Sequence, residues 1–218
     1  MIPYPMNMSG KTIHLIDDDE GCRRALSRLL RVEGYEVRDF SSAEDFLASC
    51  HAGEVDCLLL DVSLPGLGGL ELQRRLVRAG ARFPILFLTG NGDIPTAVQA
   101  IQAGAVDYLT KPVSGAVLFQ AVRRALAFGA ARKRESEESL RAATRFSRLT
   151  SREREVMERV VEGMPNKIIA ADLGTCEQTV KVHRGRVMEK MEAESLADLI
   201  RMARHIEFSR KALELLPR

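Results

Sequence analysis

The chain has 218 residues, of which 45% are hydrophobic and 28% charged, so it is long enough to bury one or two cores and wholesale disorder is excluded. Its formal net charge of +2 is unevenly divided, because residues 1–128 carry a net −2 and residues 129–218 a net +4. This asymmetry indicates two parts with different partners, and the basic part is compatible with nucleic acid.

The first half alternates short apolar runs with helical patterns. Three of the runs are almost unbroken, which is typical of strands buried on both faces of a parallel sheet. Ser42 has the position of a helix N-cap, and glycines stand where several helices should end. Five strands alternating with five helices predict a doubly wound α/β sheet. The runs cover residues 12–16, 35–40, 57–60, 84–88 and 106–109.

Residues 129–148 are polar, lack proline and place opposite charges three to four residues apart. They predict a charged, solvent-exposed helical linker, straight or bent. From residue 149 the pattern is helical only and predicts four short helices, an all-α domain. Thr150 and Glu153 have the spacing of a capping box at the first of these helices.

Polar side chains follow four of the five predicted strands. Asp17 and Asp18 follow the first, Asp61 the third, Thr89 the fourth and Lys111 the fifth. Ligands of such sheets bind beyond the carboxyl ends of the strands, where the strand order reverses, so these side chains should converge. Clustered carboxylates suit Mg²⁺, and a hydroxyl and a lysine beside them predict a phosphoryl-transfer site with Asp61 as nucleophile. Taken singly, an Asp-Asp pair is more often a helix cap and a Lys-Pro pair a turn.

These motifs, over residues 11 to about 128, resemble those of response-regulator receiver domains. The resemblance rests on Asp17-Asp18, on Asp61 in Leu-Asp-Val-Ser-Leu-Pro-Gly, on Thr89 in Leu-Thr-Gly, on Tyr108 and on Lys111-Pro112. It implies a flavodoxin-like fold in which Asp61 accepts a phosphoryl group from a sensor histidine kinase, and the domain then catalyses only its own phosphotransfer and autodephosphorylation.

The resemblance also implies roles for single residues. Thr89 and Lys111 act beside Asp61, Thr89 and Tyr108 form a conformational switch, and Ser63 and Asn91 tune dephosphorylation. Asp19 lies outside the acidic pair and is expected to be an N-cap. Mg²⁺ or Mn²⁺ is expected on Asp17, through water, and on Asp18, Asp61 and the backbone carbonyl of Ser63.

The third helix of the second half, residues 177–191, has a basic and an apolar side. Lys181, Arg184 and Lys190 recur at helical spacing, and Val180 and Val187 supply apolar positions. Joined to the preceding helix across residues 174–176, it is typical of a helix-turn-helix that enters the major groove. A solvated basic face has the same pattern.

Residues 149 to about 203 resemble the LuxR-type DNA-binding domain. The resemblance is carried by Leu-Thr-Ser-Arg-Glu-Arg-Glu-Val at 149–156, Gly163, Asn-Lys-Ile-Ile-Ala at 166–170, Thr-Val-Lys-Val-His-Arg at 179–184 and Lys-Met at 190–191. Gly185 departs from relatives that carry a long side chain there. The resemblance implies base contacts from Lys181 and Val182, and mainly phosphate contacts from Lys167, Thr179, His183 and Arg184.

Together the two resemblances identify the chain as similar to the NarL/FixJ family of transcriptional response regulators, nearer to the FixJ side. They imply a tail at residues 1–10, a receiver at 11–128, a linker at 129–148 and a DNA-binding domain with its C-terminal tail at 149–218. They further imply homodimerisation on phosphorylation, binding to double-stranded promoter DNA, contact with RNA polymerase and transcriptional activation.

Two other functions remain open on the residues alone. One is a DNA-binding regulator whose receiver-like domain is controlled without phosphorylation, by a ligand or by constitutive dimerisation. The other is a small phosphatase that uses Asp61 as nucleophile, for which no second catalytic acid is evident.

Few features of the sequence indicate the cellular compartment. Cys22, Cys50, Cys57 and Cys176 show no paired spacing, so we expect buried, reduced thiols. The histidines form no metal-binding pattern with them. Neither a signal peptide nor a membrane span is indicated, and a cytoplasmic protein is expected.

Overall fold

The computed structural model describes residues 10–49, 54–90 and 94–214, with side chains described to residue 206. The chain forms two compact units, Met1–Arg132 and Lys133–Arg218. Asn91, predicted to tune dephosphorylation, lies outside the described residues, as do Cys50 and the predicted tail up to residue 9.

The first unit is built on five parallel strands in the order β2-β1-β3-β4-β5. The order reverses between β1 and β3, which pair in parallel from Ile13 with Cys57 to Ile16 with Leu60. The predicted doubly wound sheet is therefore confirmed. The strands are β1 (Thr12–Ile16), β2 (Glu36–Phe40), β3 (Cys57–Asp61), β4 (Ile85–Thr89) and β5 (Asp107–Thr110).

In the described part of this unit, five helices connect and extend the strands. The N-cap predicted at Ser42 is present, since its Oγ accepts a hydrogen bond from the N–H of Asp45 at 3.1 Å. Asp19 caps the first helix by accepting from the N–H of Cys22 at 2.9 Å. The helices are α1 (Glu20–Val32), α2 (Ala43–Ser49), α3 (Gly69–Arg78), α4 (Ile94–Gln102) and α5 (Gly115–Ser147).

Alternate residues of each strand enter different cores, because successive side chains point to opposite faces of a sheet. Leu59 and Leu88 belong to the core that α1 and α5 cover. Leu60 and Phe87 belong to the core covered by α2, α3 and α4. β3 and β4 are buried along their whole length, and their carboxyl ends lie at the same edge of the sheet.

The segment predicted as a linker is part of α5, which continues as one helix to Ser147. Gly129 is required there, because a Cβ at this position would lie 2.9 Å from Cδ of Pro84. The segment is less solvated than expected. In the second unit Ala142 is only 2% exposed and Phe146 packs against the same core, since the two residues are spaced one helical turn apart.

The second unit contains the four predicted helices. Thr150 and Glu153 form the predicted capping box at the first of them. The last of them runs to Glu214. In addition to the carboxyl-terminal part of α5, the helices of this unit are α6 (Ser151–Val161), α7 (Asn166–Asp172), α8 (Glu177–Met191) and α9 (Leu196–Glu214).

The cysteines differ in environment. Cys57 is buried, as expected, and Cys22 is partly buried. The expectation of a buried thiol is wrong for Cys176, which is exposed and occupies the N-cap position of α8. Among the described residues, no helix combines the length and apolar character needed to cross a membrane.

Candidate functional site

Three carboxylates meet at the edge of the sheet where β1 and β3 end. Asp17 follows β1, Asp61 is the last residue of β3, and Asp18 lies beside Asp17. One oxygen from each lies within 4.8 Å of the others. Asp17 is fully buried and Asp61 is 4% exposed, whereas Asp18 is exposed. The convergence predicted from the strand ends is therefore present, with one side open to solvent.

Lys111 neutralises part of this charge. Its Nζ lies 2.6 Å from Oδ2 of Asp17 and also contacts Oδ2 of Asp61. The contact with Asp17 is an ion pair without the alignment of a hydrogen bond. Burial by itself lowers the pKa of Lys111, but the contacts with the two carboxylates outweigh it and raise that pKa above its ordinary value. Lys111 is therefore a fixed cation at this edge.

Backbone groups hold the carboxylates in place. Oδ1 of Asp61 accepts a hydrogen bond from the N–H of Ser63 at 2.9 Å, and Oδ1 of Asp17 accepts one from the N–H of Asp19 at 3.1 Å. The thiol of Cys22 is hydrogen-bonded to Asp17. Burial of the thiol and this hydrogen bond raise the pKa of Cys22 to about 11. Each buried carboxylate thus keeps Oδ2 towards Lys111.

The oxygen-rich side of this pocket fits a small divalent cation. The three side chains offer hard carboxylate ligands, which suit Mg²⁺ or Mn²⁺, and two of them are buried with only one lysine to balance them. Asp17, Asp18 and Asp61 would hold the ion. In the parts of the chain that the structure describes, this is the one cluster of three metal-binding side chains that meets these distances.

Thr89 and Tyr108 lie on the two neighbouring strands. Thr89 ends β4 and is 1% exposed, one residue beyond Leu88, which pairs with Asp61. Tyr108 is half-buried, its ring 6.3 Å from that of Phe87, and its buried hydroxyl has no hydrogen-bond partner among the described residues. A buried hydroxyl without a hydrogen-bond partner is energetically costly.

Gly69 is a position next to the acidic pocket that the sequence interpretation missed. A Cβ there would overlap the carbonyl oxygen of Asp61, and its N–H donates to the carbonyl of Val62 at 3.2 Å. Glycine therefore allows α3 to begin directly behind the acidic residue. The Gly-Gly pair at 68–69 was the available signal.

In the second unit, α8 presents one exposed face. Lys181 and Val182 are exposed on it, as is Arg186, which the predicted contacts did not include. Lys167 is exposed on α7. Thr179, His183 and Arg184, the remaining predicted contacts, are partly exposed.

Two cations of the predicted basic face, Arg184 and Lys190, contact other residues of the same domain. The expectation that Lys190 belongs to it is wrong, because nine residues at about 100° each place Lys190 opposite Lys181. There its Nζ lies 2.6 Å from Oε2 of Glu153. Arg184 donates to Oδ1 of Asn166 at 3.2 Å, which joins α8 to α7.

Comparison with known protein families gives two matches. The model of the response regulator receiver domain matches residues 13–123, and that of bacterial regulatory proteins of the luxR family matches residues 147–203. The first contains the acidic pocket and the second contains α8.

Whole-length relatives have the same arrangement. The chain is 44% identical to nodulation protein W of Bradyrhizobium diazoefficiens over 197 residues, 90% of this chain and 87% of that protein. It is 40% identical to transcriptional regulatory protein FixJ of Rhizobium meliloti over 196 residues, 90% of this chain and 96% of that protein.

Solved structures agree. The response regulator StyR superposes with a TM-score of 0.75 at 39% identity, over 89% of this chain and 98% of that one. Full-length FixJ from B. japonicum gives a TM-score of 0.56 at 36% identity, over 92% and 98%. The chain therefore belongs to the NarL/FixJ family of two-component response regulators, with a receiver domain and a LuxR-type DNA-binding domain.

Proposed function

We propose that this chain is a transcription regulator controlled by phosphorylation of Asp61. The observation that carries the proposal is the acidic pocket, in which the buried Asp61 shares Lys111 with Asp17 and remains next to the exposed Asp18. A carboxylate that served only the fold would not need a second buried carboxylate at the same cation, because like charges at short range oppose burial.

The proposed chemistry uses these contacts. A carboxylate oxygen of Asp61 attacks the phosphorus of a phosphohistidine on the sensor kinase. An acyl-phosphate O–P bond forms while the P–N bond breaks, and the histidine nitrogen keeps the bonding electron pair. Lys111 offsets charge on the transferred oxygens, and the buried Thr89 hydroxyl becomes their hydrogen-bond donor. Ser63 and Asn91 tune the later hydrolysis.

Asp18, Asp61 and the backbone carbonyl of Ser63, with Asp17 through water, would hold Mg²⁺ or Mn²⁺. When bound, such an ion would supply positive charge to the phosphoryl oxygens. The residues themselves provide the rest. The N–H of Ser63 holds one oxygen of Asp61, and Lys111 holds the other.

Phosphorylation is proposed to favour a receiver homodimer. The added negative charge and acceptor oxygens draw Thr89 towards the phosphoryl group, and Tyr108 then fills the space that is left. An apolar stripe on the neighbouring α4 supports a dimer surface there. Ile94, Val98 and Ile101 share one helical face and are 78%, 47% and 46% exposed.

The second domain is proposed to bind promoter DNA through α8. Lys181 and Val182 would contact base edges, while Lys167, Thr179, His183 and Arg184 would contact mainly phosphates. A dimer would place two α8 helices on half-sites one helical turn, ~34 Å, apart. We further propose contact with RNA polymerase and activation, and a division into receiver, linker and DNA-binding domain at residues 11–128, 129–148 and 149–218.

Phosphorylation is tested by intact-mass measurement. The full chain is incubated with acetyl phosphate and Mg²⁺, beside the variants Asp61→Asn and Asp19→Asn. We expect the mass of one phosphoryl group on the native chain and on Asp19→Asn, because asparagine keeps the N-cap, but none on Asp61→Asn.

An equal mass gain on all three chains would contradict the assignment of Asp61. No gain on any chain, together with duplex binding, would favour regulation without phosphorylation. Turnover of a free phosphoester would favour a phosphatase.

A further inference from the structure

A glycine lies in the middle of the exposed face of α8. With about 100° of rotation per residue, Gly185 falls between Lys181 and Val182 when the helix is viewed along its axis, about 40° from the first and about 60° from the second. All three positions are exposed, as is the neighbouring Arg186. At Gly185 the exposed face therefore consists of bare backbone.

No described part of the chain requires a glycine at this position. A Cβ on Gly185 would meet no described atom within 4 Å, and its backbone is not left-handed. Gly129 differs, because Pro84 leaves no room for a Cβ there. Glycine is among the poorest formers of a helix interior, so Gly185 weakens α8 without improving any internal contact.

We propose that Gly185 is the point at which α8 comes closest to the base pairs of double-stranded DNA, which makes it a determinant of sequence specificity. This inference rests on the proposed DNA-binding function. Glycine is used where a backbone must approach a ligand closely. Without a Cβ, the helix lies deeper in the major groove, and Lys181 and Val182 reach base edges on either side.

The proposal separates two contributions to binding. Phosphate contacts come from groups at the rim, such as Lys167, and they tolerate a small outward displacement of the helix. Base contacts are short and directional, so a displacement by one methyl group weakens them. Gly185→Ala should therefore reduce specific binding more than nonspecific binding, although alanine favours the helix.

The experiment uses the full chain and two duplexes. The first duplex is enriched by the native chain from a pool with a randomised centre, and the second is a scrambled sequence of equal length and composition. We expect Gly185→Ala to lose about tenfold in affinity for the enriched duplex, as for one lost base contact, and less than about twofold for the scrambled duplex. Amide hydrogen exchange in α8 should become slower.

Thr144→Ala is the matched control. Thr144 is exposed on α5, and alanine there also favours a helix of the second unit. This variant should bind both duplexes like the native chain.

Unchanged affinity of Gly185→Ala for the enriched duplex, with slower exchange in α8, would overturn the proposal, and so would an equal loss on both duplexes. If the native chain binds no duplex at all, the proposed DNA-binding function itself fails.

Discussion

Replacing Glu153 by glutamine tests how strongly one buried carboxylate stabilises the DNA-binding domain. The side chain of Glu153 is 2% exposed, and its Oε2 accepts hydrogen bonds from the N–H of Thr150 at 2.8 Å and from Nζ of Lys190 at 2.6 Å. These contacts connect the first turn of α6 to the last turn of α8. Glutamine keeps the size and an acceptor oxygen but loses the charge.

The magnitude follows from the pKa of this group. The hydrogen bond from Lys190, aided by Thr150, lowers the pKa of Glu153 from 4.5 to about 2. At about 1.4 kcal/mol per pKa unit, the charged form stabilises the fold by about 3 kcal/mol. The side chain of Lys190 is 34% exposed and can be solvated when the charge of Glu153 is removed. We therefore expect Glu153→Gln to lower the stability of this domain by about 2–3 kcal/mol.

The dependence on pH has a definite sign. The folded pKa lies below the unfolded one, so the contribution of Glu153 is complete above about pH 4.5 and is lost as the pH falls towards about 2. The native chain should therefore lose its advantage over Glu153→Gln in acid. The difference between the two chains isolates this carboxylate from the others.

The assay is hydrogen exchange of α6 and α8 peptides in the full chain, because a chain of two domains does not give one free energy of unfolding. Glu158→Gln is the control, since Glu158 lies exposed on the same helix, and its effect should stay within about 0.5 kcal/mol. Equal exchange in the two variants, or a difference from the native chain that does not change with pH, would refute the reasoning.

Three further predictions concern the receiver and are measured by urea unfolding followed through hydrogen exchange of receiver peptides, so that this domain is observed separately. Burial and the nearby Arg38 lower the pKa of the fully buried His14, so its neutral form stabilises the fold above about pH 6.5. The stability of the native chain should therefore fall as the pH drops to 5, and that of His14→Leu should fall less. The same dependence of stability on pH in both chains would contradict this. Lys111→Met should lower the stability of the receiver by about 3 kcal/mol, because it leaves two buried carboxylates without a balancing cation. Mg²⁺ should restore part of this stability. An unfolding midpoint of the variant that Mg²⁺ leaves unchanged would argue against a metal-binding pocket. Gly129→Ala should cost about 1–3 kcal/mol through overlap with Pro84, so a gain in stability would contradict the packing described.

The acidic pocket could be predicted because its positions follow from topology. In a doubly wound sheet, the strand ends meet at one edge whatever the intervening helices are, so Asp17, Asp61 and Lys111 could be placed together from the strand pattern alone. The role of Gly69 could not, because it depends on the approach of its backbone to the carbonyl of Asp61, which no periodicity reports.

The basic face of α8 could be predicted only in part. Lys181 is exposed as expected, but counting cations along the helix did not reveal that Lys190 faces inward, since its partner Glu153 lies 37 residues away in sequence. The polar character of residues 129–148 likewise did not indicate that Ala142 and Phe146, one helical turn apart, pack in the core of the second unit.

The arrangement around Lys111 also has a kinetic consequence. The carboxylates of Asp17, Asp18 and Asp61 and the ammonium group of Lys111 together carry a formal charge of −2. At low ionic strength this charge repels a small anionic phosphodonor, and its approach should be slow in the absence of divalent cations. Monovalent salt alone should then accelerate the encounter, the opposite of its usual effect on oppositely charged reactants.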